Sequence, residues 1–150
     1  MTDALDIVGL DHVVLRVRDL ALALAFYEGV LGCEVERRLD IGLVQLRAGA
    51  SLIDLVPLDS DLGRQGGTGP GTGPGSGPGG DTDFGGRNMD HFCLSLASFE
   101  EDMIRSWLAA HGVEAGPTER RYGAGGIGPS IYLADPDGNT VELKGPPDPL

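Results

Sequence analysis

One motif is written twice in this chain. Leu10-Asp11-His12-Val13-Val14-Leu15 returns as Met89-Asp90-His91-Phe92-Cys93-Leu94, an offset of 91 − 12 = 79 in a chain of 150 residues. Each copy sets a histidine in an apolar, strand-like run. Each half also closes on a strand that carries a carboxylate, Asp54 in the first and Glu142 in the second. A duplication of this kind restricts the fold to two copies of one unit. Two histidines and two carboxylates at matching places also point to a metal site built by pseudo-symmetry.

The pattern around the motif gives the unit. Residues 9–17 alternate and are rich in Val and Leu, which predicts a strand. Asp19 then reads as a helix N-cap, Leu20, Leu24, Tyr27 and Leu31 recur at helical spacing, and Gly32 suits the C′ stop. Strands are expected at about 33–39, 42–48 and 51–57, with Gly49 in the last hairpin. The second half predicts a strand at 89–96. A helix follows, capped by Ser98, with Phe99, Met103, Trp107 and Leu108 as its apolar positions and His111-Gly112 as its end. Strands near 113–121, 129–134 and 139–144 complete it. Asp135-Pro136-Asp137-Gly138-Asn139 is a strong hairpin turn, because Pro fixes φ and Gly or Asn accepts φ > 0.

The order is therefore βαβββ twice, an α+β fold with mostly antiparallel pairing. One domain spans 1–150, with module one at about 9–58 and module two at about 89–145. Residues 63–86, dominated by Gly-Pro and Gly-Thr repeats, read as a flexible linker with no side chains to pack.

Side chains alternate faces along a strand. Val13, Leu15 and Val17 form an apolar face suited to the helix, which sends His12, Val14 and Arg16 to the other side. Phe92, Leu94 and Leu96 likewise leave His91, Cys93 and Ser95 opposite. The same alternation puts Asp54, Gln45 and Arg47, then Glu142, Lys144, Ser130 and Tyr132, on the face away from the helices. All four candidate ligands share that side. If the sheets curl so that these faces meet, His12, Asp54, His91 and Glu142 converge.

Composition narrows the partners. A formal net charge of −12 argues against nucleic acid and anionic membranes, both of which select Lys/Arg patches. No apolar run reaches membrane length and no signal-peptide pattern opens the chain. The two cysteines, Cys33 and Cys93, lack metal-type spacing and are expected reduced, with Cys93 a small buried hydrophobe. A soluble, cytoplasmic protein acting on small molecules is the expectation. His111 reads as a helix C-terminal residue, and Phe26 and Tyr27 as helix core.

These motifs resemble the vicinal oxygen chelate superfamily, which holds glyoxalases, bleomycin-resistance proteins and extradiol dioxygenases. The resemblance rests on Leu-Asp-His-Val-Val-Leu-Arg-Val-Arg-Asp-Leu, on Phe26-Tyr27 and Val30-Leu31-Gly32, on Met-Asp-His-Phe-Cys-Leu-Ser-Leu, and on Tyr132-Leu-Ala-Asp-Pro-Asp-Gly-Asn-Thr-Val-Glu142-Leu. It covers nearly the whole chain. It implies curved sheets around a cavity and, in the glyoxalase I branch, metal ligands from the first and last strand of each module, here His12, Asp54, His91 and Glu142. Asp54 departs from the Glu or Gln usual in that branch and is one methylene shorter. Arg16 matches an arginine that lies near the substrate pocket of bacterial glyoxalase I. Family members are often homodimers, and the site can lie within one chain or between two.

The chemistry follows from the donors. Two imidazoles and one or two carboxylates suit Zn²⁺, Ni²⁺, Co²⁺, Mn²⁺ or Fe²⁺. Such an ion chelates adjacent oxygens and stabilises an enediolate, while Glu142, by analogy with glyoxalase I, removes a carbon-bound proton. Arg16, Gln45, Arg47, Tyr132 and Lys144 are candidate substrate-binding groups. The expected activity is a glyoxalase-like lyase, isomerase or epimerase, with a thiol such as glutathione as an optional co-substrate. An extradiol dioxygenase is the alternative enzyme, and an antibiotic-binding protein without catalysis is the alternative of another class.

Overall fold

The structure is a computed structural model that describes residues 5, 7–66, 76–77, 80–81 and 89–150. The first half contains strands β1 (His12–Val17), β2 (Glu34–Arg38), β3 (Val44–Ala48) and β4 (Ser51–Pro57). A two-residue ribbon follows, β5 (Ser76–Gly77) with β6 (Gly80–Asp81). The second half contains β7 (His91–Ser95), β8 (Glu119–Gly123), β9 (Gly126–Ala134) and β10 (Thr140–Lys144). Each half forms a four-stranded sheet, ordered β1-β4-β3-β2 and β7-β10-β9-β8. In both, the first strand runs parallel to the last and the other pairs are antiparallel. The sheets are mixed and open.

The registers repeat as the sequences do. His12 lies opposite Leu52 and His91 opposite Thr140. In both sheets the carboxylate, Asp54 or Glu142, lies two residues further along, on the same face. On the other side, Asp54 is opposite Gln45 and Glu142 is opposite Tyr132. A one-residue slip in either sheet would move every side chain to the wrong face, so the buried apolar face fixes the polar one.

Helix α1 (Leu20–Leu24) starts where expected, with the Asp19 carboxylate accepting from Leu22 N–H at 3.0 Å. It widens into a π-helical turn, Ala25–Val30, in which Leu31 N–H reaches back to Phe26 C=O. Gly32 ends the segment at φ +77°. The turn buries both Phe26 and Tyr27, whose rings meet edge to face. After β4, α2 (Asp61–Arg64) is capped by Ser60, whose hydroxyl accepts from Gly63 N–H. A Cβ on Gly63 would sit 1.9 Å from Pro57 C=O, so glycine lets α2 close onto the strand end. Residues 63–66, expected as the start of the linker, therefore belong to α2 and its C-terminal turn. Most of the remaining Gly/Pro stretch lies outside the described residues.

Helix α3 (Glu101–Ala110) begins later than expected, after Glu100 rather than Ser98. Its inward face is narrower too. Leu108 is buried and Ile104 packs on the core, but Met103 and Trp107 are exposed. Trp107 Nε1–H donates to Val30 C=O, tying α3 to the end of the α1 segment. The strand expected at 113–121 is β8, displaced to Glu119–Gly123. Residue Ala115 makes only an isolated bridge to Leu133. β9 extends back to Gly126, well before the expected start.

The helix-side faces of both sheets contribute to one core. Leu15, Val17, Leu46, Ile53 and Leu55 from the first half join Ile131, Leu133, Val141 and Leu143 from the second around Phe26, Tyr27 and Leu108. Each large apolar side chain so buried stabilises the fold by about 1.5–3 kcal/mol. Polar bonds then set the orientation of the halves. Tyr27 O–H donates to Asp135 Oδ2 at 2.6 Å, and its ring stacks on Phe92. Asp135 Oδ1 accepts from the backbone N–H of Asp137 and Asn139. Asp137 Oδ1 accepts from Arg18 N–H and Nε–H, both at 3.0 Å. The Asp-Pro-Asp-Gly-Asn turn is thus a docking element as well as a hairpin. Burial, and then Asp135, hold the Tyr27 phenol far above its ordinary pKa.

Two consequences are measurable. Tyr27→Phe removes one donor from a buried carboxylate and should cost about 1–3 kcal/mol, read as a lower urea midpoint with an unchanged slope. Gly63→Val should unseat α2 and cost about 1–3 kcal/mol through overpacking. Faster amide exchange confined to residues 60–66 and Arg16's strand would mark the site of the damage.

Candidate metal centre

Each histidine is aimed by the aspartate before it. His12 Nδ1 lies 2.7 Å from Asp11 Oδ2, and His91 Nδ1 lies 2.7 Å from Asp90 Oδ2. An ionised carboxylate only accepts, so Nδ1 carries a proton in both, and where the ring is neutral each Nε2 is left as a lone-pair donor. This is the arrangement in which a carboxylate orients a ligating imidazole. The Asp11 hydrogen bond raises the His12 pKa above its ordinary value, and Asp54 adds to the effect.

The carboxylates complete two pairs. On the first sheet Asp54 is buried, and Gln45 Nε2–H donates to its Oδ2 at 3.0 Å. Its Oδ1 is buried with no hydrogen-bond partner among the described residues. Leaving such an oxygen unpaired costs about 1–3 kcal/mol or more. On the second sheet Glu142 is also buried, and its Oε2 lies 3.1 Å from His91 Nε2. With the proton on Nδ1, that contact joins two acceptors, and a proton or cation between them is needed to make it attractive. Asp54 Oδ1 thus has no donor among the described residues, Glu142 Oε2 faces an imidazole nitrogen, and the nitrogen and oxygen donors of both halves are of the kind that suits a divalent transition metal.

The structure assembles the four candidate ligands as two pairs. Among the described residues, no three His, Cys, Asp or Glu side chains gather closely enough to hold a metal ion. The reason lies in the core. The helix-side faces share one interior, so the His12/Asp54 face and the His91/Glu142 face are both turned away from it.

Beside Glu142 a cleft of about 440 Å³ opens, lined by Cys93, Tyr122, Gly123, Glu142, Lys144 and Pro146 among others. Tyr132 stands beside His91, ring centroids 5.1 Å apart, with the Arg121 guanidinium 4.1 Å from its own ring centre. Cys93 is exposed, not the buried hydrophobe expected from sequence. Burial of its surroundings and the nearby Glu142 push its thiol up to about 11. Lys144 donates from Nζ to Gly126 C=O at 2.8 Å.

The other candidate cations are engaged elsewhere. Arg16 donates to Gly63 C=O and Gly66 C=O, clamping α2 to the outer face of the first sheet. Arg47 forms a bidentate pair with Glu36 at the surface. His111 bonds its own helix end at Trp107 C=O. Sequence reasoning passed over Asp11, Asp90 and Arg121. The first two carried a signal, the Asp-His dipeptide present in both copies. Arg121 carried none, because it reaches Tyr132 only through the β8–β9 register.

Comparison with known proteins agrees with this architecture. The model of the Glyoxalase/Bleomycin resistance protein/Dioxygenase superfamily matches residues 9–143. Virulence protein STM3117 from Salmonella typhimurium is similar at 26% identity and a TM-score of 0.69, covering 95% of this chain and 99% of that one. FosX, a genomically encoded fosfomycin resistance protein from Listeria monocytogenes, is similar in fold at 24% identity and a TM-score of 0.64, covering 93% and 94%. Lactoylglutathione lyase from Agrobacterium tumefaciens is similar in fold at 21% identity and a TM-score of 0.60, covering 92% and 93%. No curated protein is matched. The match over residues 9–143, with the duplicated half-sites it contains, shows that this chain belongs to the Glyoxalase/Bleomycin resistance protein/Dioxygenase superfamily.

Proposed function

We propose that this chain is a metal-dependent lyase, isomerase or epimerase of glyoxalase type, acting on a small molecule with two adjacent oxygens. The observation that carries the reading is the repeated half-site. Two Asp-oriented imidazoles share their sheet faces with two buried carboxylates in identical register, and Asp54 Oδ1 has no hydrogen-bond partner among the described residues. A divalent ion held by His12, Asp54, His91 and Glu142 would supply Lewis acidity toward the two substrate oxygens.

The chain's own residues do the rest. Asp11 and Asp90 fix the imidazole orientations. Gln45 holds Asp54 by one oxygen and leaves the other free. Glu142 lines the cleft and is the base that takes a carbon-bound proton from the substrate and returns it to product. Tyr132, fixed by Arg121, forms the wall beside His91.

The two pairs face away from a common core, which supports a site completed by a second copy of the chain. The His12/Asp54 face of one protomer would meet the His91/Glu142 face of its partner, giving a symmetric dimer with two sites.

Three outcomes are expected. The purified protein should hold about one transition metal per chain by elemental mass spectrometry, lost in His12→Ala and in Glu142→Ala, as expected for loss of ligands. A protein without metal after reconstitution would end the reading. Glu142→Gln should lower kcat by about 10²- to 10⁴-fold, the usual scale of a general base. Mixing inactive His12→Ala with inactive Glu142→Ala should restore one intact site per mixed dimer, and hence activity. No recovery on mixing would place the whole site within one chain.

A further inference from the structure

We propose that Lys144 sets the substrate class: the molecule taken up beside Glu142 carries an anionic group, a carboxylate or phosphoryl, a few bonds from its chelated oxygens. The proposal rests on the metal reading given above. Lys144 is only 7% exposed, yet none of the ion pairs among the described residues includes it. A lysine is almost never buried without a partner, because an uncompensated buried charge is costly. Its Nζ spends one donor on Gly126 C=O. An ammonium has three, and Lys144 lines the same cleft as Glu142 and Cys93.

The β8–β9 hairpin is shaped for this lysine. A Cβ on Gly123 would lie 3.1 Å from both Cδ and Cε of Lys144, so glycine there leaves room for the stem. Gly126, at φ +119°, turns its carbonyl toward the ammonium. Glu142 is two residues away on the same strand face, about 6–7 Å along the chain. Among the residues lining the cleft, Lys144 is the cationic side chain, in a protein whose net charge of −12 would otherwise repel an anion.

Cys93 supplies the readout. It is exposed in the cleft, whereas Cys33 is buried, so alkylation by iodoacetamide, followed by mass spectrometry, reports occupancy at one known thiol. Protein reconstituted with Zn²⁺, its metal content measured on the same sample, would be titrated with lactate and with malate, which offers the same hydroxyl and carboxylate oxygens and adds a second carboxylate. Malate should protect Cys93 at concentrations at least about tenfold below those of lactate, the scale of one charge-assisted hydrogen bond. In Lys144→Met, with metal content unchanged, the malate concentration for half-protection should rise to that of lactate, which should not change. Equal protection by both compounds in the wild type, or no change for malate in a metal-loaded Lys144→Met, overturns the proposal and leaves the metal reading intact. Failure to take up Zn²⁺ overturns both. If Lys144→Met does not fold, the same titration of Lys144→Gln decides.

Discussion

The shared apolar core is the constraint on which everything else depends. Both sheets turn their helix-side faces to one interior built around Phe26, Tyr27 and Leu108. Strand alternation then leaves no choice for the polar faces. His12 with Asp54, and His91 with Glu142, must point outward from that interior, in two places. The Tyr27–Asp135 and Arg18–Asp137 bonds fix the relative rotation of the halves. The polar latch adds direction to a contact whose strength comes from apolar area.

The outward faces are not ordinary surface. Asp54, Glu142 and Lys144 are all buried, although each lies on the side away from the core. Helix α2, held by Arg16, covers part of the first outer face. The β8–β9 hairpin and Pro146-Pro147 wall the second. Desolvated carboxylates and, among the described residues, an oxygen without a partner and an ammonium without an ion pair are expensive features in a structure of marginal stability. Two equivalent sheets group them, and on the proposed reading a ligand completes them.

Much of this was legible in the residues. The duplicated Asp-His motif, the Asp19 cap, the Gly32 stop and the hairpin glycines Gly49 and Gly138 all took their expected places, because each is fixed by local chemistry. The face assignments also survived, since they need only the period of two. Other expectations gave way to tertiary packing. Met103 and Trp107 are exposed because α3 meets the core through Ile104 and Leu108 alone. The strand expected at 113–121 shifted because β9 pairs along Glu119–Gly123. Arg16 bonds to α2 and Arg47 to Glu36, contacts that depend on the tertiary structure.

The sequence by itself determined the unit, its duplication, the face each candidate ligand takes and the family, because these depend on periodicity, on turn chemistry and on motif identity. The tertiary structure decided how the two faces relate and which cations stay available. Those depend on which apolar faces meet across the chain and on which carbonyls and carboxylates fall within reach of each side chain, and no local pattern encodes either.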